Sequence, residues 1–185
     1  MNVTAKIITV FGSSRPHDGD SQYAVARALG AALAAKGFTV CSGGYGGVME
    51  AVSRGAKESG GRTLGITSTF FRMHANQWID EETSVPTWQG RLFALIDRAD
   101  GLIVCPGGTG TLVELAVVWE MLNKRAMPPK PFAILGDFWQ PVIERVREIE
   151  RGHASEWGEQ DGNLIHHTQS PAEAAEFFAA HFAAP

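Results

Sequence analysis

Five short apolar runs punctuate the chain: Ile7-Ile8-Thr9-Val10-Phe11, Phe38-Thr39-Val40-Cys41, Thr63-Leu64-Gly65-Ile66-Thr67, Gly101-Leu102-Ile103-Val104-Cys105 and Phe132-Ala133-Ile134-Leu135. Each has strand length and is apolar nearly throughout instead of alternating, and most end at glycine or proline. That pattern predicts strands buried on both faces. The segments between them carry apolar residues at helical spacing. They predict helices over 21–36 (stopped by Gly37), 48–59 (ended by Gly60-Gly61) and 89–99, one from the fourth strand to Lys124, and one capped by Asp137 and running to Arg151. Leu164-Ile165-His166 reads as a short last strand. Ser170-Pro171-Ala172-Glu173 is a helix start with a cap residue, proline in the first turn and a capping-box glutamate. Regular alternation of strand and helix predicts an α/β chain, a Rossmann-like doubly wound domain over residues 1–185. Its sheet is mainly parallel, with helices on both faces. Two stretches fall outside the pattern. Residues 153–162 read as a polar loop. Residues 68–88, with Phe70, Phe71, Arg72, His74, Trp78 and Trp88 among polar neighbours, are expected to form a lid or a partner contact.

In such a sheet, helix N-termini lie at the same edge as strand C-termini, and ligands bind there. The turns after the first, second and fourth strands are Gly12-Ser13-Ser14, Ser42-Gly43-Gly44-Tyr45-Gly46-Gly47 and Pro106-Gly107-Gly108-Thr109-Gly110-Thr111. The first amides of a helix have no intrahelical acceptor, and the helix dipole favours an anion at that end. Expected to hold a phosphate are Gly12, Ser13, Ser14, Gly43, Gly44, Gly46, Gly47, Glu50, Gly107, Gly108, Thr109, Gly110 and Thr111. Arg91, at the start of a helix, and Glu114 would reach the same rim and are the catalytic candidates. Each assignment has a plainer alternative. Thr111-Leu112-Val113-Glu114 also fits a capping box, Arg91 a solvated surface residue, 43–47 a simple turn, and Glu50 a first-turn carboxylate favoured by the dipole. No Walker lysine follows either glycine loop.

Composition narrows the ligand. The chain has 185 residues, 44% hydrophobic and 19% charged, with a net charge of −4 and no basic run. A nucleic-acid polymer or an anionic membrane is not expected as partner. Cys41 and Cys105 sit in apolar runs and read as reduced core thiols. No stretch is long and apolar enough to span a bilayer, and the first residues do not lead into a signal peptide, so a cytoplasmic location is expected. The six histidines show no metal spacing, and neither a metal nor a cofactor is expected.

Pro106-Gly107-Gly108-Thr109-Gly110-Thr111-Leu112-Val113-Glu114 resembles the PGGxGTxxE signature of the Lonely Guy family of nucleoside 5′-monophosphate phosphoribohydrolases. An arginine of that family, fifteen positions before the signature proline, falls on Arg91, and its glutamate on Glu114. The resemblance extends from the first strand to about residue 150. It implies hydrolysis of AMP or cytokinin-type nucleotides to free base and ribose 5-phosphate by a homodimer with sites near the subunit interface. The chain departs from the family at Arg91-Leu92, where arginine-lysine is usual, at Glu50 of Met49-Glu50-Ala51, and over 68–88. These departures resemble molybdenum-cofactor carriers of the same fold, so a nucleotide or molybdenum-cofactor carrier without turnover is the alternative. A dinucleotide-dependent oxidoreductase ranks third, because no acidic residue ends the second strand.

Overall fold

The computed structural model describes residues 5–151 and 164–183. The loop expected over 153–162 lies outside the described residues, as do the first four residues. Among these described residues seven strands form one sheet, every pair parallel, in the order β4-β3-β2-β1-β5-β6-β7. They are β1 (Ile7–Phe11), β2 (Thr39–Ser42), β3 (Thr63–Ser68), β4 (Glu81–Val85), β5 (Gly101–Val104), β6 (Phe132–Leu135) and β7 (His166–Thr168). The helices are α1 (Ser21–Ala35), α2 (Val48–Glu58), α3 (Trp88–Arg98), α4 (Thr109–Asn123), α5 (Gln140–Arg151) and α6 (Pro171–Ala183).

Period-two alternation along the strands divides the core into two layers. Ile8, Val10 and Ile103 face α1, α2 and α6, where Leu29, Val52 and Phe178 meet them. Phe11, Leu102 and Val104 face the opposite side and pack on Leu95, Leu115 and Ile143 of α3, α4 and α5. Strand order reverses at β1, which pairs with β2 on one side and β5 on the other. The crevice beyond the carboxyl ends of β1 and β5 is therefore the place for a ligand.

The structure departs from the sequence expectations at three elements. Residues 68–88 are not wholly irregular: a 3-10 turn over Thr69–Phe71 is followed by β4. Glu81-Glu82-Thr83-Ser84 is a sheet edge with little apolar surface, held by its ladder to β3, by Arg62 and Arg98 on Glu81 and by Thr67 Oγ1 donating to Glu82. Charged side chains are a common guard for such edges. The last strand lies two residues later than Leu164-Ile165-His166, registered by Thr168 Oγ1 donating to the Ile134 carbonyl at 2.8 Å. Finally, α4 begins at Thr109 with Gly108 as its N-cap. Thr111 is thus inside the helix, and Glu114 accepts no backbone N–H among the described residues, so the capping-box reading of 111–114 does not hold.

Helices α1 and α2 cross at a pair of glycines. A Cβ on Gly30 would stand 2.0 Å from the Val52 carbonyl oxygen, and one on Gly55 would stand 1.8 Å from that of Arg27. Both obstacles are backbone, so the helices must separate to admit a methyl. Gly30→Ala is expected to lower unfolding free energy by about 3 kcal/mol, the scale of core overpacking. Chemical denaturation checks this, and a loss below about 1 kcal/mol would mean that the crossing is not tight.

Candidate functional site

The three turns at the carboxyl edge are tied by backbone bonds. Cys105 N–H donates to Phe11 O at 2.8 Å, Ser13 N–H to Pro106 O at 3.2 Å, and Val48 N–H to Ser13 O at 2.8 Å. Trp139 Nε1 donates to Cys105 O at 3.0 Å and fixes the far side of the β5–α4 turn. A cleft of about 740 Å³ opens above these turns. Gly12, Ser13, Ser14, Gly107, Gly108, Thr109, Gly110, Thr111, Arg91 and Glu114 all line it.

No side chain caps α4. Its first internal bond runs from Leu112 N–H to Gly108 O at 2.9 Å, which leaves the amides of Thr109, Gly110 and Thr111 without an intrahelical acceptor. By contrast, Thr87 caps α3 through Gly90 N–H and Ser170 caps α6 through Glu173 N–H. Gly107 allows the turn to close on the helix, since a Cβ there would come within 2.2 Å of Thr111 Oγ1. The uncapped end therefore suits an anion of phosphate size.

Gly43, Gly44, Gly46, Gly47 and Glu50, expected among the phosphate-binding residues, are not part of the cleft lining. The α2 N-terminus is partly occupied by the protein itself. Its first amide bonds Ser13 O, and Glu50 supplies a first-turn carboxylate that accepts from Tyr23 OH at 3.2 Å. Gly43 and Gly47 stand in close contacts. Gly47 (φ +70°) lets the loop approach Ser13 and Ser14, and a Cβ on Gly43 would lie 1.6 Å from Arg91 Nη2.

Arg91 is only 8% exposed, not a solvated surface residue. Its Nε donates to Ile66 O at 2.8 Å and its Nη2 to Gly43 O at 3.0 Å. Nη1 has no hydrogen-bond partner among the described residues. Glu114, half-buried on the first turns of α4, likewise has no hydrogen-bond or ion-pair partner among them. It lies three and four residues after Thr111 and Gly110, on the same helix face as two of the open amides. Burial raises the Glu114 carboxyl to about 7, against the pull of the Arg91 charge. Burial also lowers the Arg91 guanidinium, and Glu114 opposes that shift. Each charge acts on the other without an ion pair between them.

Further residues line the cleft: Phe71, Met73 and Trp88 come from the 68–88 stretch read as a lid or a partner contact, and the others were not expected from sequence. Arg15 and Gln22 line it from the β1–α1 connection and the first turn of α1. Tyr45, Met49, Phe71, Met73, Trp88 and Phe138 form its apolar wall. The arginine directly after Gly12-Ser13-Ser14 was a readable signal for a second cation beside an anion. The aromatic residues carry no such spacing. Among the described residues no group of histidine, cysteine, aspartate or glutamate side chains is arranged to hold a metal ion, and no helix is long and apolar enough to cross a membrane.

The chain is similar to several known proteins. The cytokinin riboside 5′-monophosphate phosphoribohydrolase of Mycobacterium marinum is 42% identical over 98 residues, 51% of this chain and 52% of that protein. The pyrimidine/purine nucleotide 5′-monophosphate nucleosidase of Escherichia coli K12 is 31% identical over 116 residues, 58% of this chain and 26% of that protein. The matches thus span about half and about a quarter of these curated relatives. The molybdenum cofactor binding protein of Rippkaea orientalis has the same fold, with a TM-score of 0.75 at 24% identity over 96% of this chain and 98% of that one. The model of the SLOG cluster4 family matches residues 5–153. With that span matched, and with the Lonely Guy signature at the uncapped helix end, the chain belongs to the SLOG cluster4 family of Lonely Guy proteins.

Proposed function

We propose that the protein hydrolyses the N-glycosidic bond of a nucleoside 5′-monophosphate, AMP or a cytokinin-type nucleotide, releasing free base and ribose 5-phosphate. The observation that carries this reading is Glu114, a half-buried carboxylate without a partner among the described residues, one helical turn from open amides that suit a phosphate. The 5′-phosphate binds the α4 N-terminus, with Thr109 and Thr111 hydroxyls and Arg15 as further donors. This puts C1′ of the ribose near Glu114. Cleavage of the C1′–N bond sends its electron pair to the base and leaves positive charge on the ribose ring, which an ionised Glu114 stabilises. The oxygen of water then bonds to C1′, one water proton is lost, and the base nitrogen gains a proton. Arg91 orients the nucleotide through Nη1. Among the described residues Glu114 is the one carboxylate lining the cleft. The names of the Mycobacterium marinum and Escherichia coli relatives support the reaction class.

The active form proposed is a cytoplasmic homodimer. Phe93 and Leu112, 46% and 37% exposed on α3 and α4, offer apolar surface for it.

The test is chromatography of a panel of nucleoside 5′-monophosphates and the matching nucleosides after incubation with the protein. Free base is expected from the monophosphates, with the nucleosides at least a hundredfold slower for want of the phosphate contacts. Tight binding of every monophosphate without base release would assign the cleft to carriage instead of turnover.

A further inference from the structure

Arg91 is held by more than its hydrogen bonds. Its Cζ lies 5.1 Å from the ring centre of Tyr45 and 5.6 Å from that of Phe71, and these rings are 5.7 Å apart at 76° to one another. The guanidinium thus occupies the corner between two nearly perpendicular aromatic faces, where the quadrupole of each ring attracts it. Tyr45 is itself fixed. Its hydroxyl donates to Ser68 O at 3.0 Å and accepts from Ser68 N–H at 2.8 Å. Asn76 Nδ2 donates to its backbone carbonyl at 2.9 Å. One residue therefore joins the β2–α2 loop to the end of β3 and supports the cation over the cleft. Phe71 comes from the 3-10 turn that follows β3. Tyr45 stands inside the glycine turn 42–47 and Phe71 outside the glycine motifs, and the proposed reaction gives neither a chemical role.

We infer that Tyr45 and Phe71 are positioning residues, an aromatic corner that aims the Nη1 side of Arg91 at the cleft and sets its charge against Glu114. Nε and Nη2 are committed to the Ile66 and Gly43 carbonyls, which fixes two points of the guanidinium plane. The rings define the third direction, the tilt of that plane. The inference rests on the proposed reaction for its importance, because a misaimed Arg91 would orient the nucleotide poorly. Its geometry can be read without substrate.

The experiment is a carbon-13 NMR titration of the glutamate carboxyls in the ligand-free protein, with the Glu114 signal assigned by Glu114→Gln. Arg91 is the charge that acts on Glu114. Arg91→Met is expected to raise the Glu114 midpoint by about one pH unit, the lower end of the effect of a nearby opposite charge. Tyr45→Leu and Phe71→Leu are each expected to raise it by about half a unit, and neither should add to the shift of Arg91→Met. A residue that only supported the fold would not move that midpoint in a protein with wild-type circular dichroism. Phe71 is half-buried on a turn whose other residues are exposed, so its variant decides the matter if Tyr45→Leu does not fold. A wild-type midpoint in the folded variants, with a shift in Arg91→Met, would overturn the inference. Failure of the proposed reaction would appear separately, as an absence of base release by the wild-type protein.

Discussion

Glu114→Gln is expected to abolish base release and to make the protein more stable. The amide keeps the size of the carboxyl but carries no charge, so the ribose cation loses its counter-charge and turnover falls about a thousandfold. Stability moves the other way. The Glu114 carboxyl is raised from 4.5 to about 7 in the folded protein. Between those values the folded chain holds a proton that the unfolded chain has released, so the contribution is complete below pH 4.5 and is lost as pH rises towards 7 and beyond. At pH 8 the ionised side chain then costs on the order of 2 kcal/mol, allowing for its partial access to the cleft. The variant should melt about 5 °C higher than wild type at pH 8, and the two should converge near pH 4.5. Thermal melts across that range check the sign. If Glu114 were a helix cap, its replacement would lower the melting temperature.

The second large effect falls on a glycine that lies outside the cleft lining. A methyl at Gly43 would meet Arg91 Nη2 at 1.6 Å and Met49 Sδ at 2.6 Å. Gly43→Ala therefore expels the guanidinium from its seat. The Gly43 and Ile66 carbonyls lose their donors, a cost of about 2 kcal/mol for buried acceptors. Base release should fall a hundredfold or more, while the circular dichroism spectrum stays α/β. Gly46→Ala is the control from the same loop. The nearest atom to a Cβ there is Ser14 O at 4.0 Å, so activity should stay within twofold. If the loop itself cradled the phosphate, both substitutions would damage binding, and activity measurements on the pair separate the two roles.

The strands that build the centre of the sheet were legible because they are buried on both faces. Ile7-Ile8-Thr9-Val10-Phe11 and Phe132-Ala133-Ile134-Leu135 have no solvent side to interrupt them with charge, and their observed bounds coincide with the apolar runs. Strand β4 was not legible for the converse reason. Glu81-Glu82-Thr83-Ser84 owes its conformation to the β3 ladder and to surface ion pairs, neither of which leaves an apolar pattern. At the site, the turn 106–111 could be read because glycine and an uncapped helix are local features. The choice between cap and cleft carboxylate for Glu114 depended on which residue starts α4. Three positions, from the observed cap Gly108 to the capping-box cap Thr111, decided it, and helix ends are the least sharply encoded part of a pattern. Arg91 depended on distance. Its acceptors lie 25 and 48 residues before it, and no local periodicity tells that a helix-start arginine will turn inward to meet them.

The most direct measurement is product analysis of AMP with excess enzyme at pH 8, run side by side for wild type and Glu114→Gln. The mechanism requires adenine and ribose 5-phosphate in equal amounts from the wild type and neither from the variant. AMP recovered intact from the wild type, adenosine and inorganic phosphate as products, or equal rates from the two proteins would contradict it.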